Sequence, residues 1–351
     1  MQFPSFTSPH TDRPNSVREN MLWVIAALMP GAAAMFWYFG WGIIINMAIA
    51  SATAVSCEAL VMKMRGRQAS SAVGDMSALL TALLLAVALP PLLPWWLTVI
   101  GTAFAIVVVK QLYGGLGYNP FNPAMAGYVL LLISYPVQMT SWLPPVMLNE
   151  NPLTLVQTAM VIFSGVLPTD LTWDALTMAS PLDSMRTQLD LNVTLSEIKL
   201  SPLWGDFGGR GWEWAGNWFL LGGLFLIYKR VISWHIPVSM LGSLLLIAML
   251  FHFIDQDAYP FGLFHIFSGG TLLGAFFIAT DPITACTTRK GQLIFGVGIG
   301  LTIYVIRTWG GYPDAVAFAV LLFNMAVPLI DHYTQPRVFG HSAENGGRSG
   351  E

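Results

Sequence analysis

Residues 77–91 read SALLTALLLAVALPP, and residues 268–282 read SGGTLLGAFFIATDP. Both are apolar and rich in small residues, and both end on proline. The first carries no charge at all, and the second carries only Asp281 beside its terminal proline. A second echo follows each of them. GGLGYNPFNPAMAGYVLLL starts at Gly114, and GGYPDAVAFAVLLFNMAVPLI starts at Gly310. Two similar blocks in the same order point to an internal repeat, and repeated apolar segments in two halves of one chain are a mark of inverted-topology membrane proteins.

The composition of the whole chain agrees. Hydrophobic residues make up 55% of the chain and charged residues 10%, and the mean hydropathy is +0.61. A soluble globular chain is less apolar and carries more charge. A hydrocarbon core about 30 Å thick takes roughly 20 apolar residues per helix. Apolar runs fall near 21–39, 42–62, 77–92, 95–110, 125–138, 215–229, 237–254, 262–280, 291–307 and 315–331. The expected fold is all-α and polytopic, with about ten transmembrane helices in two inverted five-helix repeats. The run starting at Met21 is too long for a secretory signal and reads as a retained first helix.

The basic residues orient this scheme, because Lys and Arg are concentrated in cytoplasmic loops. With the N-terminus inside, Arg13, Arg18, Lys63, Arg65, Arg67, Lys110, Lys229, Arg230, Arg289, Lys290, Arg337 and Arg348 fall on the inner side. Only Arg186, Lys199, Arg210 and Arg307 fall outside. Both termini are therefore expected in the cytoplasm. The expected organisation is an inner N-terminal segment 1–20, a first membrane half 21–138, an outer segment 139–214, a second membrane half 215–331 and an inner tail 332–351. The formal charge of −3 is small and spread along the chain, which gives no basic stripe for nucleic acid. The two cysteines, Cys57 and Cys286, are too few for a disulfide framework or a four-thiolate cluster.

Four groups of residues could carry chemistry. In the outer segment Asp174-Ala175-Leu176-Thr177-Met178-Ala179-Ser180 has the pattern D-x-x-[ST]-x-A-[ST], which resembles the site at which a flavin transferase links FMN to a hydroxyl through a phosphodiester. That chemistry needs a nucleophilic hydroxyl among small residues, and Asp174, Thr177, Ala179 and the terminal Ser180 supply the pattern. The same residues also suit an ordinary helix cap. Between the fourth and fifth helices, Asn119, Phe121 and Asn122 lie in a Gly- and Pro-rich loop that suits either an isoalloxazine ring or a rigid turn. Asp281, in an Asp-Pro pair at the membrane edge, suits ion handling or a helix stop equally. Glu58, within the second helix, either pairs with a lysine such as Lys63 or takes part in ion passage. His235, His252 and His265 are scattered, so satisfied polar groups are expected rather than metal ligands. Trp95, Trp96, Trp212 and Trp214 read as an interfacial belt.

Taken together, GGLGYNPFNPAM, SYPVQMTSWLPP, GWEW, FFIATDPITACTT and GGYPDAVAFAVLLFNMAVPLIDHYTQPR resemble the RnfD family of Rnf electron-transport complexes, related to the NqrB component of the sodium-pumping NADH:quinone reductase. The resemblance runs in order along nearly the whole chain. It implies a multi-pass protein of the bacterial inner membrane, surrounded by lipid, with the segment 139–214 in the periplasm. It also implies a translocase complex that passes electrons between ferredoxin and NAD, coupled to Na+ or H+ movement, in which this subunit is not catalytic alone. The implied cofactor is FMN held covalently on the last hydroxyl of the motif, here Ser180 where the family usually has threonine, with Thr177 and Thr187 as alternative acceptors. A second, noncovalent flavin such as riboflavin is implied near the Asn-Pro loop. The implied partners are the other Rnf subunits and, during maturation, the flavin transferase. A change in flavin charge would then bias an ion-gating movement. Two other readings stay open, a nonredox secondary transporter or channel and a scaffold for redox partners.

Overall fold

The computed structural model describes residues 16–68, 74–149, 152–168, 171–312 and 314–335. Arg13, Arg337 and Arg348, counted among the inner basic residues, lie outside these. The first half contains α1 (Val17–Phe39), α2 (Gly42–Met64), α3 (Ser77–Ala88), α4 (Trp95–Gln111) and α5 (Pro123–Ser134). The outer segment contributes short helices α6 (Pro136–Thr140), α7 (Leu155–Ser164), α8 (Trp173–Leu176), α9 (Pro181–Asp190) and α10 (Leu195–Ile198). The second half contains α11 (Trp212–Tyr228), α12 (His235–Ile254), α13 (Gly262–Phe267), α14 (Thr271–Leu273), α15 (Arg289–Trp309) and α16 (Val316–Thr334). Among the described residues there are no strands beyond two isolated bridges. The molecule is an all-α polytopic membrane protein.

Local chemistry sets the ends of these helices. The Ser16 hydroxyl accepts the Glu19 N–H to start α1, Asn122 caps α5 with Pro123 at its first position, and Thr288 caps α15. Each cap satisfies an N–H that has no partner inside the helix. Five helices, α1, α2, α12, α15 and α16, are long and apolar enough to cross a bilayer unaided. Two of the remaining apolar runs are not helical throughout. The run 77–92 is helical only to Ala88, because Pro90 and Pro91 cannot continue the backbone hydrogen bonds. The run 262–280 is broken. It forms α13, opens at Ser268–Gly270, and resumes as α14 and a π-turn over Gly274–Ile278.

The two halves repeat one contact pattern. In the first half α2 packs on α3 and α4, α4 on α5, and α3 on α1 and α5. In the second half α12 packs on α13 and α15, α15 on α16, α14 on α11, and the Gly274–Ile278 turn on α16. The halves join through two pairs of corresponding helices, α1 with α11 and α5 with α16. The tightest seam is α12 against α15. Gly296 and Gly300 lie one turn apart there, and a β-carbon on them would come within 2.0 Å of Ser239 Oγ and 2.1 Å of Ser243 Oγ. Only glycine lets these backbones approach so closely.

The repeat extends to buried charge. Lys110 precedes Gly114 by four residues, and Arg307 precedes Gly310 by three. The last part of α4, Phe104–Gln111, is wound as a π-helix, and a π-bulge accommodates one inserted residue. Lys110 and Arg307 therefore stand at matching places near the ends of α4 and α15.

The outer segment has an apolar centre of its own. Leu182, Met185, Leu195, Ile198, Leu203 and Trp204 cluster there and reach the membrane half through Phe264. This cluster seats α9, and with it Ser180, against the second half beside Phe264.

Candidate functional site

The flavinylation-like motif leads into a cleft between the two halves. Leu176 is buried and anchors it. The Met178 N–H donates to the Trp142 carbonyl at 2.8 Å, which lays the segment leading to Ser180 along residue 142. Ser180 is the N-cap of α9, and its Oγ accepts the Asp183 N–H at 3.3 Å. The cap reading of the sequence is thus correct as far as it goes. Among the described residues no acceptor takes the serine hydroxyl proton, whereas the Thr177 hydroxyl donates to the Trp173 carbonyl at 2.9 Å. Asp174, Ala179 and Thr187 are exposed, and Thr177 and Ser180 are half-buried. Burial raises the Asp183 carboxyl above the usual carboxylate range, and Arg186 opposes the shift.

Ser180 lines a cleft to which both halves contribute residues. Its walls are apolar and aromatic, with Trp142, Trp212, Phe219, Met125 and Tyr128 prominent. Trp142 and Trp212 meet edge to face at 4.5 Å, and Phe39 backs Trp212 at 4.8 Å. Trp212 is thus a buried wall residue and not part of an interfacial belt; Trp95, Trp96 and Trp214 are exposed as the belt requires. A half-buried hydroxyl bordering an apolar, aromatic-lined cleft has the chemistry that a tethered aromatic ring would need. In such a site the ring supplies the redox chemistry while the protein fixes its place and surroundings. One charged side chain, Asp314, also lines this cleft.

A second pocket, on the other side of a thin layer, gathers several of the remaining candidates. Asn119, Asn122 and Asp281 line it together with Ser77, Lys110 and Thr280. Leu84, Ala124 and Phe277 line this pocket, while Val87, Met125 and Ile278 line the cleft. Asn122 has little left to offer a ligand. Its Oδ1 accepts the Met125 N–H at 3.2 Å and its Nδ2 donates to the Ile278 carbonyl at 3.4 Å. Asn119 Oδ1 is buried and has no partner among the described residues. Asp281 accepts the Thr284 hydroxyl at 3.0 Å. Phe121 is half-buried and does not line this pocket.

Glu58 pairs with a different lysine from the one expected. Its partner is Lys110, with Nζ 2.6 Å from Oε1, and both side chains are buried. Lys63, five residues along the same helix, is exposed. Lys110 also donates to Ser77 Oγ at 2.6 Å, and Gln111 Nε2 donates to Glu58 Oε1 at 2.8 Å. This ties α2, α3 and α4 together at one end. In the second half, the Arg307 guanidinium donates to the His265 carbonyl at 2.6 Å, the Ser268 carbonyl at 3.2 Å and Thr271 Oγ1 at 2.8 Å. Loop counting alone puts both cations in solvent and misses these roles. The available signal is a lone charge at the end of an apolar run, a costly position that calls for a partner.

Of the three histidines, His235 meets Ser233 Oγ at 2.7 Å and His252 meets the Tyr259 carbonyl at 2.7 Å, as expected of satisfied groups. His265 departs from that expectation, since both of its ring nitrogens are buried without partners. No cluster of metal-ligating side chains occurs among the described residues. Cys286 is buried, and burial beside Asp331 pushes its thiol up to about 12, which keeps it an unreactive thiol.

Comparison with known proteins places this arrangement. The profile described as "NQR2, RnfD, RnfE family" matches residues 5–340. Proteins named as the D component of an ion-translocating oxidoreductase complex are similar over almost their full length. The one from Aliivibrio salmonicida is 51% identical, covering 97% of this chain and 99% of its own. Those from Sodalis glossinidius and Alcanivorax borkumensis are each 52% identical, covering 97% and 99% of this chain and 100% and 99% of their own.

Proposed function

The chain belongs to the NQR2, RnfD, RnfE family, and from that membership we propose that it is the membrane component of an Rnf-type ion-translocating oxidoreductase that carries FMN on Ser180. Membership of an oxidoreductase complex makes it a translocase subunit that works with other subunits. The observation that supports the flavin assignment is the position of Ser180, half-buried beside an aromatic-lined cleft, with no acceptor for its hydroxyl proton among the described residues.

Attachment requires Ser180 Oγ to attack the diphosphate of an activated flavin brought by a flavin transferase. The Oγ–P bond forms, the phosphoanhydride breaks, the nucleoside monophosphate leaves and the hydroxyl proton is lost. Serine performs this substitution as threonine does, because the γ-methyl takes no part in it. The attached phosphate would then sit at the N-terminus of α9, where the helix dipole favours an anion. The tether retains the cofactor at the periplasmic face, and the cleft excludes water from the ring.

The inner pocket is the place for the remaining chemistry. Asn119 is the available polar group for a second, noncovalent flavin, with Phe121 and Asn122 shaping the loop. Asp281, and Glu58 acting through Lys110, are the groups for Na+ or H+ passage toward the cleft. Electrons pass between ferredoxin and NAD elsewhere in the complex and reach this chain at its flavins. The chain sits in the bacterial inner membrane with both termini in the cytoplasm and residues 139–214 in the periplasm. Peptide mass spectrometry across Asp174–Arg186, with Ser180→Ala as control, tests the attachment.

A further inference from the structure

Among the described residues, Asp314 is the single charged side chain lining the cleft that Ser180 borders. The rest of that lining is apolar, aromatic, hydroxyl-bearing or glycine. The carboxylate is fixed from three sides. Its Oδ2 accepts the Gly270 N–H at 3.2 Å, its Oδ1 accepts the Val316 N–H at 3.3 Å, and Arg307 Nη2 stands 3.5 Å from Oδ1. Arg307 is itself held by two carbonyls and a hydroxyl, so the pair cannot drift. A β-carbon on Gly270 would come within 3.3 Å of Asp314 Oδ2, and one on Gly269 within 3.4 Å. Bare backbone at both positions keeps the space beside the carboxylate open.

We propose that Asp314, balanced by Arg307, sets the reduction potential of the flavin held in this cleft. The inference rests on Ser180 carrying that flavin. Reduction adds negative charge to the ring, and in a low-dielectric cleft a fixed charge acts strongly on that step. Asp314 disfavours the added charge and lowers the potential, while Arg307 offsets part of this from behind. The two residues therefore act with opposite sign. Asp314 is a positioning and tuning residue and is not required for attachment, since it belongs to the membrane half and the hydroxyl to α9.

The test uses the full-length chain purified after co-expression with its flavin transferase. In-gel flavin fluorescence reports attachment, and spectroelectrochemical titration reports the midpoint potential. Asp314→Asn is expected to keep the attached flavin and shift its midpoint to higher potential, Asp314→Glu to restore it, and Arg307→Gln to shift it lower. Equal attachment with an unmoved midpoint in Asp314→Asn overturns the inference and leaves the attachment reading intact. A wild-type chain that carries no covalent flavin overturns both. Arg307→Gln gives an independent reading of sign should Asp314→Asn accumulate poorly, and a midpoint shifted upward there also overturns the inference.

Discussion

Arg307 Nη2 lies 3.5 Å from Asp314 Oδ1, and the pair brackets the break in the second half's interrupted helix. Arg307 takes the carbonyls of His265 and Ser268 on the upstream side, and Asp314 takes the Gly270 N–H on the downstream side. Positive charge thus meets carbonyl ends and negative charge meets an N–H end, the arrangement that helix dipoles favour. Replacing Arg307 with leucine would remove the charge partner of Asp314 and one donor from each of two buried carbonyls, which would keep only the Thr271 hydroxyl. Removing one partner of a fully buried pair costs about 3–5 kcal/mol, and the 27% exposure of Asp314 puts this loss below that range. Thermal unfolding of the purified chain should show Arg307→Leu strongly destabilised, and a midpoint within error of wild type would refute this role.

The buried Glu58–Lys110 pair makes a parallel prediction in the first half. Glu58→Leu or Lys110→Met alone leaves one charge unpaired in the protein interior, at a cost of about 3–5 kcal/mol. The double variant should recover much of that loss, because two apolar side chains can replace a buried ion pair. A double-mutant cycle in thermal or denaturant unfolding measures the coupling, and additive losses would show that the two residues do not interact.

Much of this architecture is legible in the sequence, because apolar runs and their proline stops are local signals. The ten segments all appear as helices or helix pieces. The break at Ser268–Gly270 is not legible, since two glycines within an apolar run are tolerated in membrane helices and become a break only when Arg307 and Asp314 hold the freed groups. The Glu58 partner escapes a sequence reading for a related reason. Lys63 is near in sequence, but the pairing that forms spans 52 residues and depends on how α2 and α4 pack. The motif around Ser180 can be recognised from its residue types. The cleft it borders is made by residues from both halves, which no local pattern reveals.

Asn122 links the halves as well as capping α5. Its N–H donates to Asn324 Oδ1 at 3.0 Å, and Asn324 Nδ2 donates to the Thr284 carbonyl at 3.0 Å. Asn122→Ala should lose the cap, worth about 1 kcal/mol, and the Ile278 contact with it. Asn324→Leu should cost more, since it leaves the Asn122 N–H and the Thr284 carbonyl buried without partners. Unfolding midpoints of the two variants check this order, and the reverse order would contradict the bridging role.

Asp183 gives a pH prediction for the outer segment. Burial raises its carboxyl in the folded chain, with Arg186 opposing. The folded state therefore holds this proton more tightly than the unfolded chain does. Its contribution to stability is fully present below the unfolded carboxylate value, about 3.9, and is lost as pH rises through the higher folded value. Asp183→Asn should flatten this part of the profile and gain stability relative to wild type at neutral pH. Unfolding midpoints of both proteins from acid to neutral pH measure it, and parallel profiles would show that the carboxyl does not contribute.

The flavin assignment itself is decided by peptide mass spectrometry on the denatured chain, purified after expression with an active flavin transferase. The expected result is an FMN adduct on the Asp174–Arg186 peptide, localised to Ser180, absent in Ser180→Ala and retained in Ser180→Thr. An unmodified peptide, or an adduct that survives Ser180→Ala, would contradict the assignment of Ser180 as the point at which this chain carries its flavin.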